Sequence, residues 1–213
     1  HTWLDETVYK NNIPSNELEK WLKVESERFS ELVLRLFFFF LEAVYEEFNR
    51  SQDNDGRLVF YKMMETLFPK SHYGTQTTIG TSEHLKNPSM VAIHNYFDKY
   101  YVPSNMAVML IGDFDFDTAV PLIDRYFGSY AAKPAPAQYV AKEEPMKTIV
   151  ANDVFSPSSE RVQFAYRFNG AKSSDAKYVT LIDYILSNST AGLIDLNINQ
   201  QQKALGAGSS ASF

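Results

Sequence analysis

The chain has 213 residues, 45% of them hydrophobic and 15% aromatic, enough apolar material for one large domain or two small ones. Its 20 basic and 26 acidic residues give a formal charge of −6, with no Lys/Arg-rich stretch to follow a phosphate backbone, so nucleic-acid binding is not expected. With no cysteine there are no disulfides, no thiolate nucleophile and no Cys-held zinc or iron–sulfur site.

His1 rather than Met stands first, as expected of a processed or excised chain, and "HTWLDETVYK" has neither the basic start nor the apolar run of a signal peptide. "TWLDETVY" alternates loosely and reads as a short strand before the turn "KNNIPSN". Ser15 or Asn16 can cap the helix that follows, on which Leu18, Trp21, Leu22 and Val24, then Phe29, fall near helical spacing. A second helix is expected from Ser30 to about Asn49, with Leu32, Leu36, Phe40, Ala43 and Val44 along one stripe. Its most apolar part, Leu32 to Leu41, is ten residues long and contains Arg35, well short of the roughly 20 apolar residues of a membrane span.

"RLVFYKMMETLF" predicts a third amphipathic helix closed by Pro69, and residues 70–87 read as an extended, Gly- and Thr-containing surface loop. Asn87 and Pro88 form a helix start, with Met90, Ile93, Phe97 and Tyr100 as its buried face. "NMAVMLIGDF" predicts a buried strand, and "DFDTAVPLIDRYFGSY" a helix with Pro121 in its early part.

Residues 131–147, "AAKPAPAQYVAKEEPMK", contain three prolines and no apolar period, the composition of an extended linker between domains 1–130 and 148–213. Beyond it "ERVQFAYRF" alternates cleanly, placing Val162, Phe164, Tyr166 and Phe168 on one face of a strand. Ser174 can cap the helix "DAKYVTLIDYILSNS"; "AGLIDLNINQQQKALG" reads as another, stopped by Gly206, and "AGSSASF" as the beginning of a strand. Both halves therefore predict an α+β fold.

No phosphate loop, dinucleotide fingerprint or nucleophile elbow is present. The dense acidic candidates are Glu42, Glu46 and Glu47 on one helix, where 42 and 46 share a face and 47 lies about 100° from 46. Such a set is ordinarily a solvated face. His1, His72, His84 and His94 show no H-x-x-H or H-x-x-E-H spacing, whereas a catalytic zinc needs about three protein ligands plus water. His94, beside the apolar stripe of its helix, reads as packed or hydrogen-bonded, and His72 and His84 as loop residues. Phe37 to Phe40 point in four directions around a helix, at roughly 100° steps, so at least one ring must meet something other than the main core.

The ordered run "NIPSNELEKWLKVESERF…LRLF…LEAVYEEFNR…LFPKSHYGTQTTIG…LKNPS…YFDKYYVPSNMAVMLIGDFD…IDRYFGSY" resembles the insulinase/pitrilysin-type zinc metallopeptidases, including mitochondrial processing peptidase, over about residues 1–130. "LSNSTAGLIDLNINQQQKALGAG" resembles the opening of their second, homologous domain. The resemblance implies tandem α+β domains, each a β-sheet covered by helices and each incomplete in this chain. It also implies zinc held by two histidines of an H-x-x-E-H helix and by a glutamate on a later helix, with the internal glutamate as general base toward zinc-activated water.

In the V-Y-E-E register that later metal ligand is Glu47. H-x-x-E-H is absent from these 213 residues and would lie upstream, as would the edge strand that pairs with substrate. Where the family usually carries a second glutamate, seven residues before the ligand, this chain has Phe40, two turns away and about 10 Å along the same face. Gln200 and Ala207 stand near the positions of the family's substrate-holding arginine and tyrosine, as suits a non-catalytic second domain.

The expectation is thus part of a zinc-dependent metalloendopeptidase, with a peptide substrate, and with the missing remainder of the peptidase or a homologous subunit as partner. The chain alone is expected to be inactive and not to retain Zn2+, and none of its residues is assigned as catalytic. The alternatives are a non-catalytic homologue that binds peptides or a partner subunit, and a free-standing α+β interaction domain. A bacterial periplasmic setting would suit the resemblance and the lack of cysteine.

Overall fold

An α-helix satisfies its backbone hydrogen bonds within one segment, whereas a strand must find a neighbour. That difference decides the architecture of the computed structural model, which describes residues 1–139 and 141–213. Two compact units are formed, His1–Ser159 and Glu160–Phe213.

Unit 1 contains α1 (Leu18–Ser30), α2 (Phe37–Gln52), α3 (Asp55–Leu67), α4 (His72–Thr75), α5 (Ser82–Lys86), α6 (Met90–Tyr100) and α7 (Phe116–Phe127). Unit 2 contains α8 (Ala176–Leu186) and a π-helical turn, Asp195–Asn199. Local chemistry explains most of the starts. The side chains of Asn54, Ser71, Thr81, Ser89 and Asp115 each accept a hydrogen bond from a backbone N–H of the helix they precede.

Ser89, not Asn87, caps α6. Its expected face is there: Met90, Ile93, Phe97 and Tyr100 are the half-buried positions of that helix. The expected single helix from Ser30 is broken instead, because Glu31 is extended and Leu36 takes a left-handed conformation at φ 56°, leaving Leu32 and Leu36 outside α2. Residues 70–87 were expected as loop, and the Ser71 and Thr81 caps turn parts of them into α4 and α5.

The expected α+β class is not supported. Among the described residues there is no strand or sheet, and the β-type pairing is a single antiparallel bridge between Thr2 and Thr7. Segments 105–114 and 160–168 have strand-like sequences, but among the described residues neither forms a β-ladder. Their side chains stay in solvent accordingly: Ile111 is 97% exposed and Phe164 79%. Residues 207–213 likewise form no strand.

The best-buried contact in unit 1 is α1 against α7, where Leu22 is fully buried and Ala119 nearly so. Polar groups close its rim. The Arg125 guanidinium and the Tyr126 hydroxyl both donate to Glu19 Oε1 at 3.0 Å, and the Tyr130 hydroxyl donates to the Ser26 carbonyl. Glu25, buried on α1, is paired with Arg28 at 3.1 Å and accepts from Asn11 at 3.2 Å, which offsets the cost of desolvating its charge. Tyr9, Phe29 and Tyr101 form an aromatic cluster with centroid separations of 5.1 to 6.4 Å.

Two outcomes test this packing. A Cβ at Gly74 would lie 2.3 Å from the Phe68 carbonyl oxygen and 2.5 Å from that of Met64, so Gly74→Ala is expected to destabilise unit 1 by about 1–3 kcal/mol in denaturant titration. Burial, followed by the hydrogen bond with Tyr9, raises the Tyr101 phenol pKa well above its ordinary value. Its stabilising contribution is full below about pH 10 and lost as pH rises through the raised value, so alkaline loss of stability is expected to be shallower in Tyr101→Phe when melting is followed from pH 8 upward.

Candidate zinc-ligand helix

α2 carries the sequence-predicted site. It starts without a side-chain cap, its first turn closed by the Phe40 amide donating to the Leu36 carbonyl at 3.1 Å. Of the four phenylalanines, Phe37 is half-buried, while Phe38, Phe39 and Phe40 are 65%, 69% and 60% exposed. The rings pair edge-on with their neighbours, Phe37 with Phe38 at 5.5 Å and Phe39 with Phe40 at 5.9 Å. The aromatic wall is therefore a surface rather than a core.

Glu42, Glu46 and Glu47 are all exposed on the same helix. Between them, Tyr45 turns toward α5: hydrogen bonds with Ser82 and then Lys86 draw its phenol pKa below the usual value, and the Lys86 ammonium lies 5.3 Å from the ring centroid. Tyr45 also stacks on Phe48 at 6.3 Å. These contacts fix the α2–α5 crossing and leave Glu47 on the solvent side.

Among the described residues, no three His, Asp or Glu side chains are placed to hold one metal ion. One exposed carboxylate does not make the three-ligand set that catalytic zinc requires, so the residues of this chain do not by themselves fit the metal. Two of the histidines are engaged elsewhere. His72 Nε2 lies 3.1 Å from Asp5 Oδ1, and His1 Nε2 lies 3.4 Å from Glu6 Oε1. His84 and His94 are exposed, which corrects the reading of His94 as packed.

Sequence reasoning missed the polar junction of Asp5 with His72 and Tyr73. The Tyr73 hydroxyl donates to Asp5 Oδ2 at 2.5 Å, which raises its pKa, and its ring stacks on His72 at 4.3 Å. Partners 67 and 68 residues apart leave no periodic signal to read. It also missed a groove of 710 Å³ beside α3 and α4, lined by Leu58, Tyr61, Lys62, Glu65, Pro69, Gly74 and Thr75.

In unit 2, the position compared with the family arginine, Gln200, donates through its side chain to the Thr190 carbonyl at 3.0 Å. The backbone of Ala207 is paired on both sides by the Asn199 amide, at 2.9 and 2.8 Å. Asp195, buried in the π-turn, accepts from the Asn188 amide at 2.8 Å and from Asn199 at 3.2 Å, and these bonds hold its carboxyl below the ordinary range. The polar groups of this turn bond to one another.

Comparison with known proteins places the chain in a family through its later residues. Residues 91–212, more than half of the chain, match the family described as the peptidase M16 inactive domain. The chain is also 28% identical over 143 residues to a zinc protease PQQL-like protein of Arabidopsis thaliana. That alignment covers 64% of this chain and 15% of the relative, so the chain spans a small part of the relative's length. On the match over residues 91–212, the chain belongs to the peptidase M16 family, the insulinase-like metallopeptidases, through their inactive domain.

Proposed function

We propose that this chain is part of a zinc-dependent metalloendopeptidase, supplying the Glu47 helix of one domain and the opening of a non-catalytic one. The match of residues 91–212 to an M16 inactive domain supports the family part of this reading, and the Glu47 part rests on the sequence register of α2. From the order of the sequence motifs, residues 1–130 and 148–213 are read as parts of successive homologous domains with 131–147 between them, although the family match itself runs unbroken from 91 to 212. A peptide substrate and a second peptidase-like portion or subunit are the partners such a protein would require.

H-x-x-E-H does not occur in the 213 residues, so the histidine ligands and the general base have to come from outside them. Glu47 is exposed, as a carboxylate that completes its site against another segment would be. In this reading the peptide is gripped as an added strand by parts of the protein beyond this chain.

A second reading, a non-catalytic homologue that binds peptides or a catalytic partner, draws support from Phe40. A phenyl ring stands where a supporting carboxylate would sit, and it can neither ligate a metal nor accept a hydrogen bond from a ligand. The parent sequence ahead of His1 separates the two, since the catalytic reading requires H-x-x-E-H there.

Incubation of the purified chain with unstructured peptides, followed by mass spectrometry, is expected to give no cleavage above background. Cleavage that disappears in Glu47→Gln would show a working site within these residues and overturn the proposal.

A further inference from the structure

The Pro-rich stretch that reads as a free linker does not end unit 1; the chain remains part of that unit as far as Ser159. Its bonds follow α3 in reverse order. Glu143 Oε1 accepts from the backbone amides of Lys70 at 2.9 Å and Ser71 at 2.8 Å, just beyond the C-terminal end of α3. Asn152 donates to Thr66 Oγ1 at 3.0 Å, and the Ser158 hydroxyl donates to Asp55 at the helix start. Asp55 and Thr66 are eleven residues apart, about three turns, and so share one face of α3. Residues 143–158 thus lie antiparallel along that face.

The contacts that fasten this segment are polar. Its large apolar side chains contribute little burial, Ile149 being 98% exposed and Phe155 93%. A segment held mainly by exposed polar bonds belongs to the low-stability end of a fold and opens without global unfolding. The contacts differ, however. Asn152 and Ser158 are exposed and make single neutral or one-sided bonds, and the Lys70–Glu144 ion pair at 3.3 Å is exposed. Glu143 alone of these is half-buried, and one of its charged oxygens bonds two backbone amides, one of them that of buried Ser71.

We propose that residues 143–159 form a releasable strap on unit 1, with Glu143 as its latch. Closed, the strap lies fastened along α3. Open, it becomes a free tether of 17 residues, 143 through 159 inclusive, between the compact part of unit 1 and Glu160. Glu143 supplies the charged bond of the strap, and Asn152 and Ser158 its weaker fastenings.

Lys147 lies inside the strap with its side chain exposed, and because trypsin must draw several residues on either side of the scissile bond into its cleft, cleavage after it is faster from the open strap than from the fastened one. In the 213-residue chain, Glu143→Ala is expected to raise the rate after Lys147 about tenfold and to remove hydrogen-exchange protection from the Lys70 and Ser71 amides. Glu143→Gln, which keeps an acceptor but loses the charge, is expected to fall between the two. Helix content by circular dichroism and cleavage after Lys20 and Lys23 in α1 should not change. An unchanged rate after Lys147, or an equal acceleration at the α1 sites, would overturn the proposal. Should Glu143→Ala not fold, Asn152→Ala with Ser158→Ala unfastens the other end and is expected to give a severalfold acceleration after Lys147, judged by the same two criteria.

Discussion

Unit 1 depends first on α1 lying against α7. Leu22 on α1 is the one large side chain there that loses all contact with water, and α7 contributes the nearly buried Ala119. The polar rim extends the junction, with Glu19 drawing Arg125 and Tyr126 across it. α1 then positions Glu25, which holds Asn11, and Phe29, which holds Tyr9 and Tyr101. The N-terminal segment, α1, α6 and α7 are tied together through this one helix. Beside them, α2, α3, α4 and α5 form a chain of pairwise contacts with less burial, which leaves Glu47 and three of the four phenylalanines exposed.

The elements legible in the sequence are those whose causes are local. α3, α6 and α7 follow from apolar spacing and a capping side chain, and α6 presents the face its sequence predicts. The helix starts at Ser71 and Thr81 were equally local, but their short helices lack a period long enough to see. What failed was non-local. Alternation at 160–168 states which face would be buried and not whether a second strand is available, and without one Val162, Phe164 and Tyr166 stand in solvent. The break at Leu36 was likewise invisible, because a left-handed leucine leaves no sign in the pattern.

For the site, the family likeness was readable and the geometry was not. The ordered motifs from "NIPSNELEKW" to "IDRYFGSY" point to the insulinase-like peptidases, and residues 91–212 match their inactive domain. Spacing alone put Glu42, Glu46 and Glu47 on one helix, and the structure adds that all three face solvent. It also shows the phenylalanines as an exposed surface on the same helix, at 60% or more for three of them. Phe40 remains the residue on which the choice between a working and a lapsed site turns.

The central claim is that Glu47 binds metal only together with ligands this chain does not contain. It is tested most directly by titrating Zn2+ into the 213-residue chain alone and into an equimolar mixture with an H-x-x-E-H-bearing domain of an insulinase-type peptidase. The account predicts no stoichiometric zinc on the chain alone, one zinc per complex in the mixture, and loss of that zinc with Glu47→Gln. One zinc bound by the isolated chain and lost with Glu47→Gln would contradict it.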